Sequence, residues 1–122
     1  MSILQTVKKR NGEVVSFEQG KIESALKKAF VSVTREEKSD LCKRITELVV
    51  KEVELEVVTR EDYIPSVEHI QDIVEKHIMS AGFFDVAKHY IIYRFEHQKM
   101  RDEKKQEIVE KIEEGGLMIK NR

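Results

Sequence analysis

Val7-Lys8-Lys9-Arg10-Asn11-Gly12-Glu13-Val14-Val15-Ser16-Phe17 is the stretch from which the fold class follows. Asn11-Gly12 separates two short extended runs, Val7 to Arg10 and Glu13 to Phe17, and both turn residues tolerate positive φ. That pattern predicts a β-hairpin. A helix follows at once, because Ile22, Ala25, Leu26, Ala29, Phe30 and Val33 recur at helical spacing and make one apolar stripe.

Working outward, a second helix is predicted from Arg35 to Glu54, with Thr34 as its N-cap and Glu36 and Glu37 in its first turn. Leu41, Ile45, Leu48, Val49 and Val53 would face inward. The single proline, Pro65, biases the residue before it toward extended backbone, so Asp62 to Ile64 reads as a third strand. Ser66 then caps a third helix with the stripe Ile70, Ile73, Val74, His77, Ile78 and Ala81, and Gly82 stops it. Asp85 begins a fourth helix with Val86, Ala87, Tyr90, Ile91 and Arg94 on one side. From Gln98 to Glu114 the chain stays helix-prone but nearly all charged, broken by Ile108, Val109 and Ile112, until Gly115-Gly116 ends it. Four amphipathic helices cannot hide their stripes against so small a sheet and must pack mostly on each other. The expected fold is α+β: a four-helix bundle capped by a small three-stranded β-sheet, with a charged C-terminal helical extension. The expected domains are residues 1–97 and an extension or linker, 98–122.

Composition excludes several classes. The 122 residues carry 22 Lys plus Arg against 23 Asp plus Glu, a formal charge of -1. A net-neutral chain cannot hold nucleic acid by bulk attraction, so any phosphate site must be local. The one cysteine, Cys42, excludes a disulfide framework and a cysteine-built zinc ribbon. No apolar run reaches the roughly 20 residues of a membrane span, and no secretory signal is present, which points to the cytoplasm. The four histidines offer neither Glu-x-x-His nor His-x-x-x-His, the helical spacings that converge ligands on one ion. No P-loop, nucleophile elbow or dinucleotide glycine fingerprint occurs, so no enzyme chemistry is expected.

The basic hairpin is the densest local feature. Cations beside a glycine-containing turn can hold phosphate through side chains and backbone N–H groups together; the plainer reading is a surface hairpin with solvated lysines. Lys21 lies near the positive end of the first helix. Glu18 can accept from an exocyclic amine such as adenine's and disfavour guanine's carbonyl, or it can simply complement the helix dipole. Lys88 and Arg94 are six residues apart on the fourth helix and share no tight face. Arg94 falls on the apolar stripe, where a guanidinium needs a partner.

These residues carry a family resemblance. Val7-x-Lys9-Arg10-Asn11-Gly12, then Phe17 and Lys21-Ile22, then Val67-Glu68-x-Ile70-Gln71-Asp72-x-Val74-Glu75, and last Ala87-Lys88-x-Tyr90-Ile91-x-Tyr93-Arg94 stand in order over about residues 4 to 97. The chain thereby resembles the ATP-cone domain, the nucleotide-sensing module of many ribonucleotide reductases and of the repressor that controls reductase genes. The resemblance implies a nucleotide between sheet and helices. It puts Lys9, Arg10 and Lys21 on the phosphates, with Asn11 and Gly12 shaping the turn and Lys88 and Arg94 helping. Val7, Val15, Ile22, Ala25 and Val67 would line base or ribose, Glu18 would read the adenine amine, and Gln71 would face the sugar.

The implied ligand is ATP or dATP, with magnesium carried by the nucleotide. ATP would permit activity of a parent reductase or other protein partner, and dATP would switch it off through oligomeric state, including a homo-oligomer. Neither the catalytic barrel of a reductase nor the repressor's zinc ribbon is recognisable in these residues, which argues against catalysis and against direct nucleic-acid binding. The alternative is a helical protein–protein interaction module, or a stand-alone transcriptional regulator, without strong nucleotide binding.

Overall fold

The computed structural model describes residues 3–115, with side chains described through residue 97 and at 99, 100 and 104. It contains two strands, β1 (Thr6–Lys8) and β2 (Val14–Ser16), and four helices, α1 (Gln19–Thr34), α2 (Ser39–Thr59), α3 (Val67–Ser80) and α4 (Phe84–Gly115). The chain divides into two units, Met1–Tyr90 and Ile91–Arg122.

The hairpin is antiparallel with Val7 opposite Val15. The Gly12 N–H donates to the Lys9 carbonyl at 2.8 Å, and the Lys9 N–H donates to Glu13 at 2.8 Å. Asn11 contributes through its side chain, whose Oδ1 accepts from the Glu13 N–H at 2.9 Å. Only Gly12 of the pair takes a positive φ, 91°, so the glycine alone supplies the left-handed step.

The third strand is reduced to a single parallel bridge between Lys8 and Ser66, and the sheet is two-stranded. Two local facts prevent a ladder. Asp62 sits at φ 57° in a turn, and Pro65 has no N–H to donate. Pro65 contributes only its carbonyl, which accepts from the Lys8 N–H at 2.9 Å.

The second helix begins later and runs further than its pattern suggested. Thr34 is the last residue of α1 rather than a cap for α2: its hydroxyl donates to the Phe30 carbonyl at 2.8 Å. Arg35 then turns left-handed at φ 67°, so the chain leaves the helix before Glu36 and Glu37 can start another. With neither glycine nor proline before Pro65, α2 continues to Thr59 and absorbs Val57 and Val58. Its buried face is Cys42, Ile45, Thr46, Val49, Val50 and Val53. Leu48 lies about 100° away from Val49 on the helix and is 41% exposed, not inward. Ala81, the last residue of the expected α3 stripe, is also exposed and lies just past the helix end. The Ser66 side chain caps α3 by accepting from the His69 N–H at 3.0 Å, and Gly82, at φ 91°, follows its end.

In the first unit, α2 packs against α1 on one side and α3 on the other. Leu26, Phe30, Ile45, Val49, Val53, Val74 and Ile78 fill the centre, joined by Leu4 and Val7 from the hairpin and Val86, Ala87 and Tyr90 from the start of α4. Burial pushes the Cys42 thiol up to about 11 and its Sγ–H reaches the Glu37 carbonyl at 3.3 Å, which makes it a packed, inert residue. In the second unit, α4 continues as helix through Gly115, and the Tyr93 and His97 rings lie 4.0 Å apart. The expected stop at Gly116 lies outside the described residues, as do the side chains of Ile108, Val109 and Ile112.

Candidate functional site

β2 runs through Phe17 into α1 with Glu18 as the boundary residue, and the Phe17 N–H donates to Gln5 at 2.9 Å. The hairpin therefore lies directly before the N-terminus of α1. Lys8 holds it beside Pro65 and Ser66, at the start of α3. The hairpin thus joins the two helix starts: its open end leads into the first turn of α1, and Lys8, beside the basic turn, meets Pro65 and Ser66 before the first turn of α3.

The first turn of α1 differs from that of α3. Glu18 makes no side-chain cap, and no acidic residue stands in the turn. The Lys21 N–H donates to the Glu18 carbonyl at 3.1 Å, and no side chain caps the other leading N–H groups, which lack intrahelical partners and carry the positive end of the helix dipole, an arrangement that can receive an anion. Lys21 is beside them, 78% exposed, its Nζ 3.5 Å from Glu18. Lys9 is likewise exposed, 3.7 Å from Glu13. Such solvated ion pairs hold little energy, and both ammonium groups can exchange them for phosphate oxygens. Arg10 is exposed and has a partner within the protein.

Among the apolar candidates, Val15, Ile22, Ala25 and Val67 are half-buried against the core, and Val7, opposite Val15, is buried in it. Gln71 is half-buried one helical turn beyond Val67 on α3. Lys88 stands exposed on α4 with no hydrogen bond or ion pair to the hairpin among the described residues. Arg94 belongs to the second unit, is half-buried and is engaged by a partner. Its assignment, like that of Lys88, stands on the resemblance.

Sequence reasoning missed the polar seam between α2 and α3. Glu56 lies 2.9 and 3.1 Å from His69 Nε2, and Glu52 lies 2.9 Å from His77 Nε2 and 2.7 Å from Lys76 Nζ. The signal in the sequence is a pair of carboxylates four apart on α2, Glu52 and Glu56, and a pair of histidines eight apart on α3, His69 and His77. Among the described residues no group of three His, Cys, Asp or Glu converges on a metal position.

The Lys76 ammonium holds the Glu52 carboxyl below its ordinary value of 4.5, against partial burial and with help from His77. A depressed carboxylate stabilises the fold above its unfolded value, and that contribution fades as pH falls through the lowered folded value. Denaturation midpoints are expected to drop as pH goes below 4.5, and less so in Glu52→Gln. Equal acid slopes in the two proteins would remove this role from Glu52.

Comparison with known proteins gives the family. The ATP cone domain family matches residues 5–99. The chain belongs to the ATP-cone family. It is 37% identical over 107 residues to the vitamin B12-dependent ribonucleoside-diphosphate reductase of Thermoplasma acidophilum, covering 84% of this chain and 13% of that protein. It is 35% identical over 108 residues to the ribonucleoside-diphosphate reductase subunit alpha of Chlamydia trachomatis, covering 84% of this chain and 10% of that one. The Chlamydia pneumoniae subunit alpha is 38% identical over 109 residues, with 81% and 10% covered. The chain thus spans about a tenth of the length of these relatives. It is a small nucleotide-binding regulatory domain of the kind found in reductases. None of its described helices is long and apolar enough to cross a membrane.

Proposed function

We propose that this ATP cone senses the balance of ATP and dATP and passes it, through oligomeric state, to a ribonucleotide reductase or a related partner in the cytoplasm. The reading is supported by the N-terminus of α1, which has no side-chain cap and has exposed Lys21 beside it, together with the exposed basic turn of Lys9 and Arg10 on the hairpin that leads into it. Lys9, Arg10 and Lys21 hold the phosphates, with Asn11 and Gly12 shaping the turn. Val15, Ile22, Ala25 and Val67 meet base and ribose above Val7, Gln71 meets the sugar, and Glu18 accepts from the adenine amine. Magnesium arrives with the nucleotide, and the role is binding, not catalysis.

A ligand shifts an equilibrium between states only by its differential affinity for them. The 2′-hydroxyl that separates ATP from dATP offers one hydrogen bond, worth about 0.5–1.5 kcal/mol, or about a 2- to 13-fold bias per site. Several cones acting together would multiply it.

Calorimetric titration with ATP, dATP and GTP in the presence of magnesium tests the proposal. Micromolar binding of both adenine nucleotides with weak GTP is the expected result. No saturation with any of the three overturns it. The second reading, a protein-docking module, is favoured by exposed Leu48, Leu55 and Val58 on α2, and it would take over in that case.

A further inference from the structure

We infer that the Glu56–His69 pair positions the basic hairpin, so that α2 and α3 set the geometry from which Lys9 grips its ligand. The inference rests on the nucleotide reading for its effect on affinity, but its structural half stands without it.

The path is continuous. A carboxylate can only accept, so His69 Nε2–H donates to Glu56, at 2.9 and 3.1 Å from its two oxygens. That bond ties the first turn of α3 to α2. In the same turn the His69 N–H donates to Ser66 Oγ at 3.0 Å, and the Ile70 N–H donates to the Ser66 carbonyl at 3.1 Å. Ser66 and Pro65 are therefore held at a defined height on the helix pair. Pro65 in turn accepts from the Lys8 N–H at 2.9 Å, and Ser66 forms the bridge to Lys8. The next residue is Lys9, whose own N–H and carbonyl close the hairpin turn. Even-numbered residues of β1 point their backbone groups away from β2, which leaves Lys8 free to make this outer bond while Lys9 pairs inward.

The seam contains its own control. His77 makes a second histidine–carboxylate bond between α3 and α2, to Glu52 at 2.9 Å, at the far end of α3 from Pro65 and Ser66, where Lys76 also reaches Glu52 at 2.7 Å. A contact that only stabilises the helix pair would affect the protein alike at either end. A contact that positions the hairpin would be felt at Lys8 from His69 alone.

The test is amide hydrogen exchange at Lys8 in the full chain, with denaturation to record global stability, and calorimetric titration with ATP. The variants are His69→Phe, which keeps ring bulk but removes the donor, His69→Gln, which restores one, Glu56→Ala and His77→Phe. The Lys8 amide is expected to exchange about tenfold faster in His69→Phe and Glu56→Ala, at the scale of one charge-assisted hydrogen bond. It should return toward wild type in His69→Gln and stay unchanged in His77→Phe. ATP dissociation constants are expected to weaken in the same order, by about 3- to 10-fold. Unchanged Lys8 exchange in His69→Phe, or an equal change in His77→Phe, overturns the positioning role even if ATP binds normally. The Lys8 signature without any ATP binding by the wild-type chain supports the hairpin anchor and overturns the nucleotide reading instead.

Discussion

Phe30→Ala is expected to lower the thermal midpoint by about 15–30 °C. Phe30 is fully buried, and its ring meets Phe83 edge-on with centroids 5.0 Å apart. Truncating a buried phenylalanine costs about 3–5 kcal/mol in lost transfer energy and residual cavity. In a domain of this size each kcal/mol moves the midpoint by about 4–8 °C. Total stability of a domain is only about 5–15 kcal/mol, so the variant would be close to the edge of folding. Phe30→Leu, which keeps most of the volume, should lose about 1 kcal/mol. A melt of Phe30→Ala within a few degrees of wild type would contradict the burial of Phe30 against Phe83.

The second large effect concerns binding rather than folding. Lys9→Ala and Lys21→Ala are each expected to weaken ATP by about 10- to 150-fold, the scale of about 1.5–3 kcal/mol for a hydrogen bond to a charged group. Both side chains are in solvent, and each has an exposed carboxylate nearby, 3.7 Å away for Lys9 and 3.5 Å for Lys21. Their removal should therefore lower the melt by no more than about 4–8 °C, since exposed pairs are worth at most about 1 kcal/mol. Affinity at the wild-type level in both variants, measured by titration calorimetry, would remove the phosphates from the hairpin and α1.

Much of the candidate site was legible because it is local. Lys9 and Arg10 were conspicuous beside Asn11-Gly12, and Lys21 was conspicuous near a predicted helix start. The open N-terminus of α1 was not, because Glu18 could have folded back as a cap and does not. Lys88 and Arg94 came from helix spacing and resemblance, and spacing along one helix cannot say what a neighbouring element brings opposite.

Hairpin, helix count, the Ser66 cap and the Gly82 stop were all readable from residues within a turn or two of one another. Periodicity and turn chemistry are short-range properties, so they survive in a bare sequence. Packing decided the rest. Thr34 had the residue type of a helix start and became a helix end, because its hydroxyl found the Phe30 carbonyl first. Leu48 looked like core and faces outward, because the phase of α2 is set by the six residues it buries together. The third strand shrank to one bridge, because only Lys8 stood opposite Pro65 and Ser66 to receive it. The Glu56–His69 and Glu52–His77 pairs join residues 13 and 25 positions apart. Such a pairing exists only after α2 and α3 have met, since their angle and height bring those groups within a hydrogen bond, and no local pattern encodes them.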